Sequence, residues 1–233
     1  LYPFISGKDF TYIPSPYLVV NAVTESMLNR VTFRDNKLRR AIGKEVIESY
    51  LYNIVRQLDT VTWISPELLY KKGKDKLLTS DVIAAEGDNV IFYDTKAITP
   101  SLKLRKFDVA EIEADIEIYA EDVIQIYNQI NNYLQGCFQL DKQYLKDKIF
   151  GIVVVLEDAV VSRKKVYEKV YEILEKTETL DTEEKNYICS HIKVLPLRAI
   201  ECMILQNTSL LPELIEQLSK PERWYDYTYT NAT

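Results

Sequence analysis

Two short apolar runs, Leu77–Ala85 and Val90–Ala97, are joined by Glu86-Gly87-Asp88-Asn89, and this junction restricts the fold more than any other segment. Gly and Asp tolerate the positive φ of tight turns, so the segment predicts a β-hairpin. If Gly87-Asp88 is the two-residue turn, Glu86 pairs with Asn89 and Asp81 falls directly opposite Asp94. A longer loop of even length keeps that register, and one of odd length shifts it by a residue. Directly opposed residues share a face, with Cβ atoms roughly 4.5–5.5 Å apart. Lys96 follows Asp94 by two and lies on the same face. Opposed carboxylates destabilise a hairpin unless a cation sits between them. A divalent metal ion would do so, and a neighbouring lysine suits phosphodiester chemistry.

The flanking segments supply the rest of an α/β fold. Asn36–Leu58 carries Ile47, Leu51, Ile54, Val55 and Leu58 at helical spacing. Val61–Ile64 reads as a strand. Asp115–Gln135 reads as a second long helix, with Gly136 as its stop. Ile149–Leu156 is β-branched and continuous, the pattern of a buried strand. Ser162–Lys176 is expected as an amphipathic helix, Ile188–Leu197 as a strand closed by Pro196, and Leu210–Leu218 as a short helix. This order predicts a central mixed β-sheet flanked by helices. It divides into a lead-in over 1–35, a core over 36–200, and a C-terminal helix with an aromatic tail over 201–233.

The 233 residues, 47% apolar and 27% charged, suffice for one sizeable soluble core. The longest clean apolar run, Phe150–Leu156, is too short to span a bilayer. The start at Leu1 lacks Met, a basic segment and an apolar stretch, and reads as the trimmed end of a longer chain without a signal peptide. Cys137, Cys189 and Cys202 show no CxxC spacing and fit a reduced, intracellular protein, in the cytoplasm. His191 is the single histidine and reads as a satisfied strand residue rather than a catalytic base. A His-rich zinc site is thereby excluded, so a metal would have to be held by oxygen, which points to Mg²⁺ or Mn²⁺.

The net charge of −6 argues mildly against tight non-specific nucleic-acid binding. Local clusters run the other way. Lys71, Lys72, Lys74 and Lys76 precede the first hairpin strand, and Lys103, Arg105 and Lys106 follow the second. Arg34, Lys37, Arg39, Arg40 and Lys44 open the first long helix. Each cluster reads equally well as a solvated surface or as a phosphate contact. Within the same helix Glu48 borders the apolar stripe, three and seven residues from Leu51 and Val55. Glu45 is turned about 60° away, toward Tyr52 and Arg56. On the second long helix Gln129 and Tyr133 are four apart and share a face, where either can bond a phosphate or a base.

Taken in order, Gly43-Lys44-Glu45-Val46-Ile47-Glu48-Ser49-Tyr50, Ser80-Asp81, Asp94-Thr95-Lys96 and Gln129-Ile-Asn-Asn-Tyr133 resemble the PD-(D/E)xK nuclease superfamily, the restriction-endonuclease-like fold, in its QxxxY-containing branch. The resemblance covers about residues 36–156. Ser80 stands where the name-giving proline is usual, and Asp94 where Glu is commoner. The resemblance implies a restriction-endonuclease-like core with extra C-terminal helices. It implies a Mg²⁺- or Mn²⁺-dependent deoxyribonuclease, with Asp81, Asp94 and the main-chain carbonyl of Thr95 on the metal. Glu48 would hold metal-shell water or a second ion. Lys96 would orient the attacking water and offset transition-state charge. Gln129 and Tyr133 would contact the nucleic acid, with Lys44, Lys72, Lys74, Lys103 and Arg105 as further phosphate contacts. The partner expected is nucleic acid, DNA before RNA, with no membrane and with further domains of a parent chain. The alternative is a catalytically silent nuclease-like module that binds nucleic acid or a partner protein.

Overall fold

A computed structural model describes residues 5–6, 8, 11–12, 35–97, 108–156, 161–177 and 179–205. The fold is α/β, a mixed five-stranded sheet flanked by helices. Two short strands, β1 (Ile5–Ser6) and β2 (Thr11–Tyr12), pair with each other, as do β4 (Leu69–Lys72) and β5 (Asp75–Leu78). The main sheet is built from β3 (Val61–Pro66), β6 (Val82–Glu86), β7 (Asn89–Lys96), β8 (Ile149–Val155) and β9 (Ile192–Pro196). Its strand order is β3-β6-β7-β8-β9. The helices are α1 (Asn36–Ile42), α2 (Ser49–Val55), α3 (Val109–Leu134), α4 (Arg163–Leu174), α5 (Thr182–His191) and α6 (Leu197–Leu205). Between α1 and α2 the chain continues as a π-helical segment, Gly43–Glu48.

β6 and β7 form the expected hairpin in the expected register, Glu86 against Asn89 and Val82 against Tyr93, with Gly87 at φ 59° in the turn. β3 and β6 are antiparallel, whereas β7–β8 and β8–β9 are parallel. Parallel neighbours need crossover connections, and α3 makes the first of them. Alternation along β7 sorts the core onto two faces. Val90 and Phe92 pack with Ile126 and Ile130 of α3 on one face. Ile91 and Tyr93 pack with Leu51 and Val55 of α2 and Ile200 of α6 on the other. β8 is buried at every position, as its uninterrupted apolar sequence demands.

Four expectations need correction. The first apolar run is not one strand: Leu77 and Leu78 belong to β5, and the chain bends at Thr79–Asp81 before β6 begins. The Thr79 amide donates to the Leu68 carbonyl (2.9 Å), and its hydroxyl accepts from the Leu68 amide (2.9 Å). These two bonds close the base of the β4–β5 hairpin. The helix α3 starts six residues earlier than expected, because Asp108 caps it by accepting from the Ala110 and Glu111 amides. Ile188 lies in a helix rather than a strand. Asp181 caps α5 through the Glu184 amide, and Tyr187 and Ile188 are its buried residues. His191 therefore closes a helix, its ring stacked between Phe150 and Tyr187. The expected helix over Leu210–Leu218, the aromatic tail, and Arg34, Lys103, Arg105 and Lys106 lie outside the described residues.

Candidate functional site

The end of β7 gathers the ionisable groups. Asp94 is paired with Val153 of buried β8 and is itself 3% exposed. A carboxylate so placed needs a cation, and the Lys96 ammonium stands 2.8 Å from its Oδ2. Lys96 also lies 3.4 Å from Asp122 Oδ1 and donates to Gln125 Oε1 (2.8 Å), both on α3. Asp81 sits one residue before β6, beyond the last paired residues of the hairpin. Its Oδ2 accepts from both the amide (2.6 Å) and the hydroxyl (2.7 Å) of Thr95. Thr95 thus serves Asp81 as a hydrogen-bond donor, a role the sequence had not suggested.

Glu48 approaches from the π-helical segment. It is half-buried, whereas Glu45 is exposed, as the helical phase predicts. Burial first, and then the charge of Asp81, push its pKa up to about 7 against the opposing pull of Lys44. Glu67 and Asp94 add to the rise. Burial likewise lifts Asp94 to about 6, Lys96 opposing and Asp81 reinforcing. Asp122 is raised to about 6 by its burial, again against Lys96. Burial works against the Lys96 ammonium, but Asp94 and Asp122 outweigh it and hold its pKa above the ordinary lysine value. Glu48, Asp81 and Asp94 therefore feel one another's charge across the end of the sheet.

The donor chemistry of these three carboxylates suits a hard divalent cation. Their mutual repulsion is the electrostatic condition that a cation relieves. The fit is chemical rather than preformed: among the described residues no three acidic, Cys or His side chains are drawn together as a ligand group. Asp81 is occupied by Thr95, and Asp94 by Lys96.

The remaining expected contacts divide. Gln129 is buried and accepts a hydrogen bond from the Ser80 hydroxyl, so it braces the bend that carries Asp81. Tyr133 does not reach the site. Its hydroxyl donates to the Lys142 carbonyl (3.2 Å) and accepts from the Tyr144 amide (2.9 Å), and its ring packs on Phe138. It borders a separate cleft of about 430 Å³ with Leu140, Lys142 and Tyr144. The correction follows from helix geometry: Tyr133 lies eleven residues past Asp122, about 16 Å along the axis. Lys44 is exposed and 3.8 Å from Glu67. Lys72 donates to Asn132 Oδ1 (2.7 Å), and Lys74 follows Gly73 at the tip of the β4–β5 hairpin.

Asp122 and Gln125, which meet Lys96, are the residues at this site that sequence reasoning passed over. A signal existed: Asp122 stands three, four and seven residues from Tyr119, Ile126 and Gln129 in the buried stripe of α3. A carboxylate inside such a stripe demands a cation from a facing element.

A curated protein described as a probable DNA-directed RNA polymerase, from Gelasinospora sp. (strain G114), is 27% identical over 143 residues. The matched stretch covers 60% of this chain, and the chain spans only 16% of that relative's length. No family model and no solved structure matches. Among the described residues no helix is long and apolar enough to cross a membrane.

Proposed function

We propose that this chain is a metal-dependent nuclease that hydrolyses DNA phosphodiesters, built on a restriction-endonuclease-like core. The observation that carries the reading is the grouping at the end of β7: the Lys96 ammonium 2.8 Å from buried Asp94, Asp81 bonded to Thr95 of the same strand, and the helical segment of Glu48 packed on β7. A divalent cation, when bound, would polarise the scissile phosphate and an attacking water. Asp81 and Asp94 would hold it, with Glu48 beside them. Lys96 would release one of its present partners to meet charge on the phosphate in the transition state, while Asp122 keeps the ammonium in place. Mg²⁺- or Mn²⁺-dependent cleavage of plasmid DNA is the direct test. Lys96→Ala should abolish cleavage while leaving DNA binding largely intact, because the contribution of that lysine belongs to the transition state. Cleavage at the wild-type rate by the variant would remove Lys96 from the mechanism.

A second reading is favoured by a specific observation. The Lys96 ammonium is held by ion pairs to Asp94 and Asp122 and a hydrogen bond to Gln125, and the carboxylates are not drawn into a ligand group. Such a site also fits a silent module that binds nucleic acid within a larger polypeptide. The likeness to a probable DNA-directed RNA polymerase is to a nucleic-acid enzyme of another activity, and supports this reading as well. A wild-type protein that binds DNA but cleaves no nucleic acid with either metal would establish it.

A further inference from the structure

The β4–β5 hairpin presents one face that is exposed among the described residues. Tyr70 and Leu77 point inward: Tyr70 is buried against Phe138, and its hydroxyl accepts from Asn132. Lys72 also turns inward to Asn132, with Asp75 paired opposite it. By alternation Leu69, Lys71, Lys76 and Leu78 form the outward face. There Lys71 lies directly opposite Lys76, and Leu69 opposite Leu78. The two leucines are 66% and 46% exposed. Like charges directly opposed destabilise a hairpin, and no acidic residue of β4 or β5 shares this face to offset them. Lys164, Lys169, Lys176 and Lys185, by contrast, each lie within salt-bridge distance of a glutamate. In a chain of net charge −6, a ladder of opposed lysines is a local exception.

Its position relative to the candidate site is fixed by α3. Lys96 bonds Gln125, Ser80 bonds Gln129, and Lys72 bonds Asn132. At about 1.5 Å per residue, the anchor of Lys72, on the inward face, lies about 10 Å along the helix from the Lys96 anchor. The hairpin is also tied to the site covalently: Thr79 closes its base, and Asp81 follows two residues later.

We infer that the outward face of the β4–β5 hairpin, Lys71 and Lys76 with Lys74 at the tip, grips the phosphate backbone of duplex DNA on the side of the hairpin away from α3. This rests on the nucleic-acid part of the proposed function and not on cleavage. The polyanion would supply the countercharge that the lysine pair lacks, and binding would release counterions from the phosphates it touches.

The test is a salt titration of binding to a short fluorescent DNA duplex, read by anisotropy. Wild type is compared with the double variant Lys71→Gln/Lys76→Gln and with the charge-matched control Lys164→Gln/Lys176→Gln. The hairpin variant should lower the slope of log Kd against log salt by about 2, at roughly 0.9 for each phosphate no longer neutralised, and the control should not. Its melting temperature should equal or exceed that of wild type, since a repulsive pair is removed. A single Lys74→Gln variant, at the solvent-facing tip, should lower the slope by about half as much. Equal slopes for hairpin and control variants, or no DNA binding by wild type, would overturn the inference. So would a slope change seen only with an RNA duplex or a single strand. Repeating the series on Lys96→Ala protein separates the two claims: a lowered slope without any cleavage by wild type retains the surface and ends the nuclease reading.

Discussion

Lys96 pairs with Asp94 and Asp122 and donates to Gln125, so its position is set from two elements at once. Glu48 enters the same field from a third element, and its protonation responds to the charges of Asp81 and Asp94. Two predictions belong at this scale. Glu48→Gln should lower cleavage by at least about a hundredfold, the scale on which a small misplacement at a site is felt, while Glu45→Gln, at an exposed position, should be mild. Steady-state cleavage rates of the two variants give the ranking, and equal losses would mean that Glu48 has no special place. The second concerns pH. The folded chain holds a proton on Glu48 up to about pH 7, against the usual glutamate value of 4.5. The unfolded chain releases that proton first, so the stabilising contribution is full below about 4.5 and fades as pH rises through about 7. Asp94 and Asp122, raised to about 6, act in the same direction. In metal-free buffer the melting temperature of wild type should fall relative to that of Glu48→Gln as pH climbs through this window. Parallel melting curves for the two proteins across the window would contradict it. The pair Asp81 and Asp94 was legible in the sequence because a hairpin turn fixes register. Asp122 was marked in the sequence only as a carboxylate within the buried stripe of α3, and its partner Lys96 was not legible because it is far away in sequence.

At the scale of elements, α3 and β8 meet more closely than ordinary side chains allow. A Cβ on Gly151 would overlap Ile126 Cγ2 and lie 3.5 Å from its Cβ. Ile126 is β-branched and fully buried, so it has little freedom to turn aside. Gly151→Ala should therefore destabilise the protein by about 1–3 kcal/mol by overpacking, measurable by denaturant unfolding. Adding Ile126→Leu, which removes the overlapping β-branch methyl and keeps the side-chain volume, should recover part of the loss. Because Gln125 is adjacent to Ile126 and Asp122 lies one turn before it, the same strain should reach the lysine anchors. The elements themselves were legible where the apolar pattern was unambiguous, as in β8 and α4. They were hidden where local signals conflicted. The start of α3 is an acidic stretch whose cap, Asp108, lies before the apolar period begins. The β-branched run near Ile188 concealed a helix whose cap at Asp181 is its clearest mark. Tyr133 shows a third failure: a shared helix face does not mean a shared site when the helix runs past the site for several turns.

Over the whole molecule, the sheet separates two apolar cores that share only the strands between them. One packs α2 and α6 on the sheet, and the other packs α3, α4 and α5. Glu48 belongs to the helical segment that leads into the first, and Asp122 and Gln125 are carried by the helix that builds the second. Asp81 and Asp94 stand at the seam. Proteins open in cooperative parts before they unfold globally. Loosening of either layer, with the sheet intact, would separate the groups of the site. Activity would then report whether both halves are closed at the same moment, and it would vanish at the lower of two opening free energies. A chain built this way makes its site conditional on its own completeness: a half-opened molecule retains its sheet but not the grouping of charges at the end of β7.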